Sequence, residues 1–204
     1  MKNLLKSFLL LSASLMQLQA GSFNTVVIDA GHGGRDFGGS YNKVYEKWLA
    51  LDTSMRVEKK LKAKGYKTVM TRRSDVFITL PGRAKIANSY SNSIFVSIHY
   101  NFTSKKSVSG LETFYYTKRS KPLADAVQEG MLNEVSVNNR GVKYARYYVL
   151  RHSKNPAILV EGGFVSNTAE RNRTKDGNYR EALSVGIVKG IEKYKRQRRA
   201  GTAL

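Results

Sequence analysis

At 204 residues the chain is long enough to bury one sizeable core and reads as a single domain. It has no cysteine, which excludes disulfides, thiolate metal sites and cysteine nucleophiles, so any metal must be held by His, Asp or Glu. The 35 Lys and Arg against 15 Asp and Glu give a formal net charge of +20, which concentrates a protein near polyanions: nucleic acid inside a cell, anionic wall polymers or phospholipid head groups outside it. The first segment, Met1 to about Ala20, sets Lys2 and Lys6 ahead of Phe8-Leu9-Leu10-Leu11 and ends on a small residue, the layout of a secretory signal peptide. Its removal leaves a net charge of +18, and the expected location is the periplasm or cell envelope.

Thr25 to Ala30 runs apolar and β-branched residues into Gly31-His32-Gly33-Gly34, a strand that presents His32 at its carboxyl edge. From Glu46 to Lys64, Leu49, Ala50, Thr53, Val57 and Leu61 recur at helical spacing, and Gly65 stops the helix. Tyr66 to Thr71 reads as a second strand. Leu80 to Ser89 is a short helix entered through Thr79 and Pro81, and Ser93 to His99 is a strand apolar enough to be central. Leu111 to Tyr116 alternates as a further strand, Pro122 to Val135 reads as a helix, Tyr147 to Leu150 as a short strand, and Ala157 to Val160 as a buried strand ending at Glu161-Gly162-Gly163. Tyr179 to Arg196 closes the chain as an amphipathic helix, with a basic tail over residues 196–204. Strands alternating with helices predict one α/β domain over residues 21–195, a mostly parallel mixed sheet with helices on both faces.

Three strand ends carry chemistry: His32, His99 and Glu161. In a parallel sheet the carboxyl ends of neighbouring strands share one edge, so these groups converge there, and Glu46 at the start of the first helix brings a carboxylate over the same edge. Two imidazoles and a carboxylate form the ligand set of a catalytic zinc that keeps a position open for water, and a further carboxylate beside the metal serves as general base. That combination hydrolyses amides. His152, in a polar stretch, reads as a surface residue.

Val26 to Gly34, Tyr45-Glu46-Lys47, Met70 to Arg73, Phe95 to Asn101, Gly110 to Phe114, Asn139 to Lys143 and Ile158 to Phe164 together resemble the zinc-dependent N-acetylmuramoyl-L-alanine amidases of the type-3 family, in unbroken order from about Val26 to Tyr194. Carried over by position, the resemblance implies that His32, Glu46 and His99 are zinc ligands and Glu161 the catalytic glutamate. The implied substrate is peptidoglycan, cut between the lactyl group of N-acetylmuramic acid and L-alanine, in cell-wall remodelling and cell separation. Asp29 is a candidate to orient a ligand imidazole, and Arg73, Arg83 and Asn101 are candidates to shape the site or meet the substrate, structural pairing being the other reading of each. Between Thr117 and Asn139 there is room for one ordinary helix and not for a long insertion over the site, so the enzyme is expected to work unaided. A monomer is the expected state.

Two other classes compete. Ser40-Tyr41-Asn42-Lys43, Ser136-Val137-Asn138 and Lys175-Asp176-Gly177 follow the chain order of the penicillin-binding serine enzymes, with Ser40 as acyl nucleophile and Lys43 as its activator, although the third element lacks its Thr. A non-catalytic wall-binding protein is the other. Specific nucleic-acid binding is not expected, because aromatic stacking platforms do not interleave with the basic residues.

Overall fold

The computed structural model describes residues 23–202. The expected leader over Met1 to Ala20 lies outside them. Eight strands and six α-helices follow in chain order: β1 (Thr25–Ala30), the hairpin β2 (Ser40–Tyr41) and β3 (Val44–Tyr45), α1 (Glu46–Ala63), β4 (Lys67–Met70), α2 (Leu80–Asn88), β5 (Ser93–Asn101), β6 (Leu111–Tyr115), α3 (Lys121–Leu132), β7 (Asn139–Tyr144), α4 (Tyr148–Arg151), β8 (Ala157–Phe164), α5 (Thr168–Lys175) and α6 (Gly177–Arg199). Apart from β2 and β3, the strands form one sheet in the order β4-β1-β5-β8-β6-β7. The pairs β4/β1, β1/β5, β5/β8 and β6/β7 are parallel, and β6 meets β8 antiparallel. This is the mostly parallel mixed sheet that the alternation of elements predicts.

Strand alternation divides the sheet into two unlike faces. One carries Val26, Ile28, Ile94, Val96, Ile98, Tyr100, Ile158 and Val160 beneath α1, α3 and α6, all fully buried. Each such aliphatic side chain removed from water contributes about 1.5–3 kcal/mol. Helices α3 and α6 approach to backbone contact at Gly130 and Gly186, where a Cβ on either would stand 2.3 or 2.5 Å from the other's carbonyl oxygen. The opposite face carries a smaller cluster of Val27, Phe95, Phe114 and Leu159, closed by Ala87 of α2 and by Val149 and Leu150 of α4.

Two expectations change, and two elements appear that the sequence pattern does not mark. Tyr147 to Leu150 is not a strand: the Tyr147 carbonyl accepts from the Leu150 and Arg151 amides, and the turn lets adjacent Val149 and Leu150 both be buried, which an alternating strand does not allow. Asn139–Tyr144 is an edge strand, polar because it is half exposed. Thr168–Lys175 is a polar helix capped by the Asn167 side chain, which accepts from the Glu170 amide at 3.1 Å. Finally, α6 runs to Arg199, so the first residues of the expected basic tail are helical.

Candidate metal centre

Register explains how the site is assembled. On the thinly covered face Val27 pairs with Phe95 and Phe95 with Ala157; one step toward the carboxyl edge, Asp29 pairs with Ser97, Ser97 with Leu159 and Leu159 with Phe114; one step further, His99 pairs with Glu161 and Glu161 with Glu112. Successive rows thus pass from apolar through mixed to wholly polar. Because β6 runs antiparallel, Glu112 at its start reaches the same edge as Glu161 near the end of β8.

His32 follows β1 in a left-handed conformation, φ 58°, unusual for a residue with a side chain. The loop is clamped, not flexible. Arg72 donates to the carbonyls of Ala30 at 2.9 Å, Gly31 at 2.7 Å and Lys47 at 2.8 Å; Arg83 donates to Ala30 O and to Asp29 Oδ1, both at 2.7 Å, and to His32 O at 2.6 Å. Lys47 Nζ holds Gly34 O at 2.8 Å and Asp75 at 2.7 Å. Two glycines are required sterically: a Cβ on Gly31 would stand 2.5 Å from the His99 ring, and one on Gly38 would stand 2.6 Å from both His32 and Glu46.

Glu46 opens α1 beside that loop. Its Oε1 lies 3.1 Å from His32 Nε2 and 2.8 Å from His99 Nδ1 and accepts from the Tyr100 amide at 3.0 Å, while Oε2 accepts from the Gly39 amide at 2.7 Å. One donor atom from each of His32, Glu46 and His99 lies within 4.8 Å of the others. Burial opposes ionisation of Glu46, but the two imidazoles outweigh it and hold the carboxyl well below its usual range. Burial likewise lowers the proton affinity of His32, and Glu46 and then Asp36 reverse it to a net rise. Asp36 Oδ2 accepts from His32 Nδ1 at 2.9 Å, which leaves Nε2 facing Glu46.

Glu161 is buried at the cavity wall and its Oε2 has no hydrogen-bond partner. Burial, then Glu46, then Glu112 push its carboxyl well above the usual range. Glu112 is balanced differently: it accepts from Asn101 Nδ2 at 2.6 Å, Arg140 Nε at 2.8 Å and Lys143 Nζ. The cavity, about 560 Å³, is rimmed by Phe77, Leu80, Phe102, Tyr147 and Tyr148. Phe114 packs edge-on to the Tyr147 ring at 5.2 Å.

His32, Glu46, His99 and Glu161 therefore meet as expected, and Asn101 lines the cavity. Four candidates do not play the role given them. Asp29 accepts from Thr71, Arg83 and Ser97, not from an imidazole; it anchors Arg83, and Asp36 is the carboxylate on the histidine. Arg73 points away and grips Glu58, leaving Arg72 to serve the site loop. Ser40 and Lys43 lie on the β2–β3 hairpin, Lys43 in its turn with φ 61°, and neither lines the cavity. His152 is exposed and stacks on Tyr148, as a surface residue. Asp36 gives no sequence signal beyond lying four residues after His32, and Tyr147 gives none.

Fold and site together define a class: a single α/β domain with a His/Glu/His group and a buried free carboxyl at the carboxyl edge of its strands. The family model for N-acetylmuramoyl-L-alanine amidase matches residues 26–193, and the chain belongs to that family of peptidoglycan-cleaving enzymes. It is 36% identical over 176 residues to the N-acetylmuramoyl-L-alanine amidase LytC of Bacillus subtilis, covering 84% of this chain and 36% of that protein, so it spans about a third of that relative's length. Among solved structures it is similar to the N-acetylmuramoyl-L-alanine amidase of Clostridium difficile 630, with a TM-score of 0.81, 37% identity and coverage of 85% and 97% of the two chains. It is also similar to AmiC2 of Nostoc punctiforme, with a TM-score of 0.81, 38% identity and coverage of 84% and 97%.

Proposed function

We propose that the chain is a zinc-dependent amidase that cuts the bond between the lactyl group of N-acetylmuramic acid and the L-alanine of the stem peptide, exported to the periplasm or cell envelope and used in wall remodelling and cell separation. The observation that carries this reading is the unpartnered Oε2 of Glu161 in the row that also presents His99, beside three donor atoms that face one another. The donor set fits the ion: two nitrogens and a carboxylate oxygen, with no thiolate available.

When bound, the ion lowers the pKa of water and polarises the scissile carbonyl. The chain supplies the rest. Asp36 fixes the ring of His32 so that Nε2 faces the ion position, and the Gly39 and Tyr100 amides fix both oxygens of Glu46. Glu161 takes the proton of the attacking water and delivers it to the departing amine, and its raised proton affinity suits both transfers. The rim from Phe77 to Tyr148 offers apolar surface to the sugar and lactyl group. The segment between Thr117 and Asn139 forms α3 packed on α6, which supports digestion without an added activator.

Purified peptidoglycan digested by the chain and read by mass spectrometry should release free stem peptides and leave intact lactyl-bearing sugars, with EDTA abolishing and Zn restoring the release. Loss of only a terminal D-alanine, digestion indifferent to chelation, or binding without digestion would each overturn the proposal.

A further inference from the structure

Beyond the cavity wall, the row that holds His99 and Glu161 continues to Glu112, which is buried. Both of its oxygens are engaged: Oε1 accepts from Asn101 Nδ2 at 2.6 Å, and Oε2 accepts from Arg140 Nε at 2.8 Å and from Lys143 Nζ. Arg140 and Lys143 stand three residues apart on β7, so unbroken alternation would send them to opposite faces. A bulge prevents this. Leu111 pairs with Asn139 but Thr113 pairs with Val142, so two steps of β6 match three of β7, and the extra residue falls at Arg140-Gly141, where Gly141 has φ 80°, opposite Glu112. Bulges re-aim side chains in this way beside working sites. The Arg140 guanidinium is then fixed on two sides: Nε rests on Glu112, and the group lies 5.2 Å from the centre of the Phe164 ring. Its Nη1 and Nη2 have no hydrogen-bond partner among the described residues, and the side chain is 33% exposed. A fork held like this receives a carboxylate through two parallel N–H bonds with little ordering left to do. Lys143 lies 6.0 Å from the Phe114 ring, which meets Tyr147 of the cavity rim.

We propose that Arg140 reads a carboxylate on the leaving side of the substrate, the one carried by the second residue of the stem peptide, and so determines which stems are cut. This rests on the amidase reading above. The order along the row sets the direction: His99, then Glu161, then Glu112, then β7. Glu161 delivers a proton to the departing amine, so the peptide that leaves extends from Glu161 away from His99, over Glu112 towards β7. Neighbouring strands stand about 4.8 Å apart, which puts β7 about 10 Å from β8. L-alanine and its successor span about 7 Å of that. The Arg140 side chain, reaching back to Glu112, closes the remainder. A carboxamide at the same place would be received poorly, because it carries no charge and its NH₂ faces a group that has donors and no acceptor. Lys143 adds a second cation to the same patch and Asn101 joins the patch to the cavity.

The test uses uncross-linked peptidoglycan strands whose second stem residue carries either the free carboxylate or the carboxamide, and it reads the ratio of kcat/KM for stem-peptide release from the two. The unaltered chain should favour the free carboxylate by about ten- to a hundredfold, the range for hydrogen bonds made by a charged donor. Arg140→Gln should bring the ratio close to one. Arg140→Lys, which keeps the charge and loses the fork, should restore only a small part of it. A purely structural role, exerted through Glu112, would lower both rates alike and leave the ratio where it was. Calorimetry asks the same question without turnover: L-alanyl-γ-D-glutamyl-L-lysinamide, whose one carboxylate is on the second residue, should bind the unaltered chain more tightly than its isoglutamine counterpart by a similar factor. Release of stem peptide from neither strand would defeat the amidase reading. Equal cutting of both strands, a ratio that survives Arg140→Gln, or a preference that follows amidation of the third residue instead would overturn the inference and leave that reading standing. Equal binding of the two peptides would overturn it whether or not the strands are cut.

Discussion

On β5 the side chains of Ile94, Val96, Ile98 and Tyr100 point beneath the long helices α1, α3 and α6, while Phe95, Ser97 and His99 point to the face covered only by α2 and the four-residue α4. The first face is buried to its carboxyl end, where Tyr100 shares a 2.6 Å hydrogen bond with Thr53 of α1. The second is closed over its amino half and open over its carboxyl half, so the row of His99, Glu161 and Glu112 lines a cavity or lies beside it. One face therefore carries stability and the other carries chemistry, although the same strands build both. Alternation makes this possible, because neighbours in sequence belong to different environments.

Substitutions on the two faces should separate rate from stability. Glu161→Gln should lower kcat/KM for stem-peptide release by about 10²–10⁴-fold. It should leave bound metal unchanged and the Tm equal or higher, since the unpartnered buried oxygen no longer belongs to an ionisable group. Metal lost together with activity would show Glu161 to be a ligand. On the other face Ile94→Ala should cost about 2–5 kcal/mol in urea unfolding and leave kcat/KM of the folded protein intact; a fall in rate with unchanged stability would break the division. Asp36→Ala frees the ring of His32 and the Gly38 amide, which donates to Asp36 Oδ1 at 3.1 Å, and competition titration should find metal affinity reduced about 10–100-fold with a smaller change in Tm than Ile94→Ala gives. The smallest effect belongs to Arg73→Ala. Arg73 is the main cause that holds Glu58 at about 2 against 4.5 for a free carboxyl, so the pair stabilises fully above about pH 4.5 and its contribution fades as pH falls toward 2. The variant should show a flatter fall of Tm over that acid range and unchanged activity at neutral pH, whereas lost activity would return Arg73 to the site.

Most of the scaffold was legible because its signals are local. Val26-Val27-Ile28 and Ser93 to His99 are continuous apolar runs, the signature of strands buried on both sides, and Gly65 and the Thr79-Leu80-Pro81 entry mark helix ends at short range. Elements at the rim gave weaker signals. β7 and α5 are polar because they are exposed, and Tyr147 to Leu150 is too short for periodicity to separate strand from helix.

The convergence of His32, His99 and Glu161 follows from the sequence alone, because parallel strands must bring their carboxyl ends to one edge whatever the side chains do. Choosing between Asp29 and Asp36 for the histidine, or between Arg72 and Arg73 for the loop, does not. Adjacent or nearby residues of the same type compete for these roles, and the outcome depends on which way a backbone turn aims each side chain. The left-handed turn at His32 and the register between β5, β8 and β6 set those directions, and both arise from contacts between segments far apart in the chain.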